Sequence, residues 1–128
     1  MVFFMKIACT GSIALDTTRT PLKVMERTLG GAGVFFAWSA SFFADTSLVG
    51  VIGRDFPLEH KSSLEKKGIR LAIEELEGKT FFIDWSYDSH LSDRKVNDLQ
   101  MNVLEKYSPV VPKSLEDSEF VYAGTLKP

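Results

Sequence analysis

The sequence predicts an α/β protein: a parallel sheet crossed by helices, with smaller β excursions attached. Three observations carry the prediction. Short strand-like runs lie at Lys6–Thr10, residues 46–52 and residues 69–73, and the second is apolar and β-branched as strands buried on both faces are. Helical segments lie between them, one within residues 29–44 and one over residues 58–67. The resulting order, strand–helix–strand–helix–strand, implies right-handed crossovers onto one sheet.

Each element has its local reason. The first strand, Lys6–Thr10 with Phe3 as its earliest start, ends at Gly11-Ser12. Residues 13–15 form a second extended piece, closed by Asp16 and the polar run 17–20. Pro21 forbids a helix through this region, and residues 23–28 alternate as a strand does. Gly30, Gly31 and Gly33 then precede a proline-free apolar run to Ala44. Small residues at Gly33, Ala37, Ala40, Ser41 and Ala44 and bulky ones at Phe35, Trp38 and Phe42 recur at helical spacing. The run is apolar nearly all round, which predicts a buried helix. Its start would aim free N–H groups and the positive dipole end at whatever lies before it. A glycine turn of this kind serves either as a ligand floor or as a plain strand-to-helix turn.

Asp45 marks a turn before the apolar strand 46–52. Pro57 suits the first turn of a helix, Leu58 and Leu64 are that helix's apolar contacts, and Gly68 stops it. Residues 74–78 read as an acidic turn, 80–87 as an aromatic strand, 88–93 as a polar loop and 96–103 as a strand or a short helix. A loop at 107–112 and a turn at 114–118 lead to a last core strand, 119–123. A core strand followed by only five residues reads as a truncated chain.

The 128 residues suit one domain, and 45% hydrophobic with 25% charged residues is ordinary globular composition. A net charge of −2 without a basic face argues against nucleic acid. The start of the chain lacks a basic segment and is too short for a signal peptide, and no window reaches the ~20 apolar residues of a membrane span. Cys9, the single cysteine, cannot form an internal disulfide and sits in an apolar strand, which predicts an inert buried thiol and a cytoplasmic location. Neither Gly-x-Gly-x-x-Gly nor a P-loop occurs, so a dinucleotide-binding Rossmann domain is disfavoured. His60 and His90 have no metal-ligand spacing and read as surface residues; no metal site is expected.

Three segments in order carry a resemblance: Gly11-Ser12-Ile13-Ala14-Leu15-Asp16, then Gly30-Gly31-Ala32-Gly33 opening a helix, then Leu48-Val49-Gly50-Val51-Ile52-Gly53-Arg54-Asp55. Together they resemble the N-terminal part of the ribokinase-like (PfkB) carbohydrate kinases. Lys79-Thr80-Phe81-Phe82, Asn102-Val103-Leu104 and residues 117–128 also look like one sugar-kinase branch of that family. The resemblance covers essentially the whole chain. It implies a ribokinase-like Rossmann-type sandwich, present in part, with a small β-sheet lid supplied by segments near 13–28 and 79–104. It also implies ATP-dependent phosphoryl transfer to a sugar hydroxyl, with ATP and Mg²⁺ as cofactors whose sites are not in this chain.

Residue by residue, Asp16 matches the family's sugar-hydroxyl carboxylate, and Gly30 and Gly31 match the pair whose backbone lies under the sugar. Phe35 stands where the family carries a sugar-binding Asn and cannot make its hydrogen bonds. Either the sugar is held differently, or sugar specificity has been lost. The family's later Asp-Thr-x-Gly-Ala-Gly-Asp signature is absent, so no catalytic residue is expected in these 128 residues, which read as a substrate-and-lid half. Asp55 reads as a turn-stabilising acid and Arg94 as a solvated loop arginine, with substrate contact as the alternative. Phe82, Trp85 and Tyr87 read equally as a cover for an apolar sugar face and as lid packing. The competing reading is a non-catalytic sugar-binding or dimerisation module. Lid strands or open sheet edges would pair between copies, giving a homo-oligomer.

Overall fold

The computed structural model of the protein describes residues 5–126. The early strand start at Phe3 and the last two residues of the family-like ending lie outside them. In chain order the elements are β1 (Lys6–Thr10), β2 (Ala14–Arg19), β3 (Val24–Gly30), α1 (Ala32–Ala40), β4 (Asp45–Gly53), α2 (Leu58–Lys66), β5 (Arg70–Leu76), β6 (Phe81–Tyr87), β7 (Arg94–Gln100) and β8 (Phe120–Ala123). Two 3₁₀ turns, Asn102–Leu104 and Lys113–Leu115, lie between β7 and β8.

Two four-stranded sheets result. The first has the order β5-β4-β1-β8 and is parallel throughout. The second has the order β3-β2-β6-β7, with β2 and β6 parallel and the outer pairs antiparallel. The chain thus builds β1, leaves for β2 and β3, returns through α1 to β4 and α2 to β5, then leaves again for β6 and β7.

β4 explains how the layers hold together. It is apolar and buried along nearly its whole length. Leu48 and Ile52 face a core built with Val34 and Ala37 of α1, Leu64 of α2, and Cys9, Ile13 and Leu15. Val51 faces the opposite side, where Phe81, Val103, Leu104 and Tyr107 close a second cluster. Burial pushes the Cys9 thiol up to about 12, so it stays protonated.

Several elements differ from the sequence reading. β2 runs straight through the polar residues 17–19 instead of closing at Asp16. Thr17 is buried, and Thr17, Thr18 and Arg19 find backbone partners on β6. Tertiary pairing and the β-branched threonines override the polar composition. The turn falls later, where the Thr20 N–H donates to the Lys23 carbonyl at 2.9 Å. β5 continues to Leu76 because its pairing with β4 continues to Gly53, and an edge strand tolerates exposed Glu74 and Glu75. The acidic turn shrinks to Glu77-Gly78.

α1 is not buried all round. Gly33, Val34 and Ala37 form its buried face, while Phe35 is 60% and Phe43, just past its end, 78% exposed. Of the two apolar contacts expected of α2, Leu64 is fully buried and Leu58 is 78% exposed, because Leu58 lies on the outer side of the first turn. Pro57 precedes that helix rather than opening it. The strand expected in the core at 119–123 is β8, an edge strand with Phe120, Val121 and Tyr122 exposed.

Asp55, just past β4, ties the two sheets together. One oxygen accepts from the Thr80 N–H at 2.7 Å and the Thr80 hydroxyl at 2.8 Å; the other accepts from the Arg27 guanidinium at 3.0 Å. Partial burial works to raise its pKa. The hydrogen bonds from Thr80 and the Arg27 charge outweigh this and hold the carboxyl below the usual range. A depressed pKa stabilises the fold above the unfolded-state value near 3.8, and that contribution is lost as pH falls through the folded value. Asp55→Asn is therefore expected to cost about 1–2 kcal/mol at pH 7, after allowance for partial exposure. Urea denaturation should show the difference from wild type shrinking towards pH 3.

Candidate binding site between β2, β6 and the glycine turn

Strand alternation builds one wall of a cavity of about 430 Å³. Ala14, Asp16 and Thr18 of β2 and Phe81, Ile83, Trp85 and Tyr87 of β6 all point into it. The parallel register sets Asp16 beside Ile83 and Thr18 beside Trp85. The opposite wall comes from Ser12, Gly31, Ala32 and Phe35. Arg94, first residue of β7 and register partner of Tyr87, completes the rim. Phe82 lies on the other face of β6 and packs against the core.

Asp16 is the chemically distinctive residue. Its Oδ1 is buried and has no hydrogen-bond partner among the described residues. Burial without a compensating donor pushes its carboxyl up to about 6. A Cβ on Gly30 would collide with the Asp16 carboxylate, so glycine is needed there to leave space for the acid. Gly30 itself backs the carboxylate, and Gly31 lines the cavity.

The glycine turn differs from the sequence reading in what its amides do. Gly31 has φ 104°, a left-handed conformation, and a Cβ there would strike the Ser12 carbonyl. Ser12 takes up the first helical amides: Ala32 N–H donates to Ser12 Oγ and Gly33 N–H to Ser12 O, both at 3.0 Å. Two of the amides expected to face a ligand, those of Ala32 and Gly33, are thus already satisfied by a serine some twenty residues earlier in the chain. Sequence reasoning missed this role because N-capping is normally local. Thr18 and Ile83 were missed as well, although period-two alternation from Asp16 and Trp85 marks both.

The remaining polar residues are placed as follows. The Arg94 guanidinium lies over the Trp85 ring, 4.1 Å from its centroid, so Arg94 is a strand residue and not a loop arginine. His60 packs edge-on against Phe56, with Nε2 3.1 Å from the Arg27 carbonyl. No group of three or more His, Cys, Asp or Glu among the described residues could hold a metal ion. The cavity offers one carboxylate, a guanidinium at its rim, hydroxyls and an aromatic wall. That set suits a polyol; with a single carboxylate, and with the Ala32 and Gly33 amides already bonded to Ser12, it does not make a Mg²⁺·ATP site.

No family model matches the sequence, and no curated protein matches it. Solved structures do. The chain superposes on ribokinase from Cryptococcus neoformans var. grubii serotype A in complex with ADP with a TM-score of 0.72 at 18% identity, covering 96% of this chain and 41% of that one. The nucleoside kinase of Methanocaldococcus jannaschii, an archaeal member of the ribokinase family, gives 0.72 at 18%, covering 100% and 47%. Fructokinase from Halothermothrix orenii gives 0.71 at 18%, covering 93% and 46%. The chain therefore has the ribokinase-like α/β fold, and it spans less than half the length of these structures. Among the described residues no helix is long and apolar enough to cross a membrane.

Proposed function

We propose that the cavity over Asp16 binds a sugar, and that the chain is the substrate-binding half of a ribokinase-like carbohydrate kinase acting in the cytoplasm. The observation that carries this reading is the buried, partnerless Oδ1 of Asp16 inside a cavity of polyol size. Ionised, that carboxylate accepts charge-assisted hydrogen bonds from two neighbouring hydroxyls. Thr18 adds a hydroxyl on the same face, and Trp85 and Tyr87 cover an apolar sugar face. Phe35, in place of the family's Asn, contributes packing only. The second sheet acts as the lid, and Asp55 fixes its angle to the first.

In such a kinase Mg²⁺·ATP would supply the transferred phosphoryl group from a site outside these residues; the residues described here hold and orient the acceptor. The isolated chain is accordingly expected to bind sugar without consuming ATP. Calorimetry with ribose and fructose should give heat of binding that Asp16→Ala abolishes, and a coupled assay should give no ATP turnover. Absence of binding to either sugar, or turnover by the chain alone, would overturn the reading.

The open edge of β8 favours a second reading, a module that associates. Phe120, Val121 and Tyr122 are exposed beside an unpaired strand edge. Silent calorimetry together with concentration-dependent dimerisation in light scattering would select that reading.

A further inference from the structure

A second cavity, of about 190 Å³, lies where the two sheets meet, and it shares no lining residue with the Asp16 cavity. Phe82 lines it, whereas Phe81 and Ile83 line the Asp16 cavity, so the two open on opposite faces of β6. The rest of its wall includes Arg27, Asp55, Lys79, Thr80 and Asn102. Among the described residues Arg27, Leu91 and Asn102 are the non-glycines with left-handed backbone, and Arg27 and Asn102, at φ 49° and 51°, both line this cavity. Arg27 takes that conformation where the β2–β3 register shifts, a bulge position that glycine fills more easily. Such strain persists only where the surroundings over-determine it, and it concentrates at ligand clamps. Here the Arg27 N–H donates to Thr17 Oγ1 at 3.2 Å, and its carbonyl stands 3.1 Å from His60 Nε2. The strained backbone is thereby fixed with its guanidinium at the joint between the sheets, where it donates to Asp55.

The charges of this cavity do not balance. Two cations, Arg27 and Lys79, line it with one carboxylate, Asp55. Both Asp55 oxygens are taken, one by Thr80 and the other by Arg27, and Lys79 makes no salt bridge among the described residues. One positive charge is left over, which calls for an anion. The volume is below the ~300–1,000 Å³ of pockets that enclose drug-sized ligands, so the anion is small. Phe82 decides its kind. A tetrahedral inorganic oxyanion carries oxygens on every side and would leave some of them against the ring without a donor. A short organic acid turns its carboxylate to the two cations and its carbons to the ring. We infer that this joint is a binding site for a short organic carboxylate, held by Arg27 and Lys79 at its charged end and by Phe82 along its carbon chain. The site is separate from the polyol site proposed above and does not depend on it. Arg27 and Phe82 belong to the second sheet and Asp55 follows a strand of the first, so an occupant ties the two sheets together.

Three probes separate the possibilities: propionate, its neutral isostere propionamide, and sulfate. They are titrated into the whole chain, labelled with ¹⁵N, at pH 7.5 and constant ionic strength, and followed by NMR. Propionate should shift the amide signals of Arg27, Thr80 and Asn102 to saturation and leave those of Ser12 and Asp16 in place. It should bind tenfold or more tighter than either of the other probes. Lys79→Gln should weaken propionate tenfold or more, and Lys79→Arg should restore most of the affinity. Lys79 is exposed, so both variants are expected to fold, and circular dichroism checks this; the comparison of probes on the wild type stands whatever the variants do. Absence of saturable shifts at the three amides, equal affinity for propionamide, or an affinity untouched by Lys79→Gln in a folded variant would overturn the inference. Sulfate binding as tightly as propionate would overturn it too, because Phe82 would then play no part. Ribose added to the same sample reports at the Asp16 amide, so failure of one site is read apart from failure of the other.

Discussion

Asp16→Asn is expected to make the protein more stable at neutral pH and at the same time to weaken the sugar binding proposed for it. The two effects have one cause. The carboxyl is buried without a donor, so its pKa in the folded state is about 6. A raised folded pKa favours the protonated form. Its contribution to stability is fully present below the unfolded-state value near 3.8 and is lost as pH rises through about 6. At pH 7.5 the wild type thus holds an ionised carboxylate that the fold alone does not satisfy. The neutral amide removes that burden, by about 1–2 kcal/mol after discounting for partial exposure. Thermal melts should show the variant above wild type at pH 7.5 and the two converging below pH 4.

Sugar binding should move the other way. Hydroxyl donors to an ionised acceptor contribute roughly 1.5–3 kcal/mol each, so losing the charge should weaken binding at least tenfold. Wild-type affinity should also rise as pH increases through about 6, because only the ionised form accepts from two hydroxyls. A variant that binds sugar as the wild type does would remove Asp16 from the site. One that melts lower at pH 7.5 would mean the carboxylate is satisfied in a way the structure does not show.

This opposition between stability and binding also marks what the sequence could convey. Central strands were legible because burial on both faces leaves an apolar run, as in β4, and glycine stops such as Gly68 act locally. The position of Asp16 after Gly11 was legible as part of an ordered motif. The role of Ser12 was not, since it caps a helix twenty residues away. Nor was the continuation of β2, where threonines look like loop until β6 arrives to pair with them. The exposed face of α1 misled for the same reason: an all-apolar helix predicts a cover, and sequence cannot say whether the covering residues belong to this stretch of chain. Arg94 follows the pattern, because its place at the cavity rim depends on the β6–β7 register.

Gly33 invites a test in which local and tertiary physics disagree about the sign. Gly33 lies inside α1, where alanine is favoured over glycine by roughly 1 kcal/mol. On propensity alone Gly33→Ala stabilises. A Cβ there, however, would stand 2.9 Å from both the carbonyl carbon and the carbonyl oxygen of Gly11, and 3.1 Å from its Cα. These are backbone atoms at the end of the central strand β1, so no side chain can swing aside. Relief requires α1 to move off the sheet, which strains the Ser12–Gly33 hydrogen bond and the contacts of Val34 and Ala37 in the core. Overpacking of this kind costs ~1–3 kcal/mol and occasionally more, and backbone on both sides places this position at the upper end. The net expectation is a loss of about 2–3 kcal/mol in urea denaturation, with sugar affinity falling too, because Ser12 lines the cavity. Gly68→Ala is the control: its φ of +87° is strained for alanine, but nothing lies within 4 Å of the added Cβ, so it should cost about 1 kcal/mol and leave binding untouched. If Gly33→Ala proved as stable as wild type, the approach of α1 to β1 would be softer than its geometry requires, and the wall opposite Asp16 could not be the rigid floor that the proposed sugar site needs.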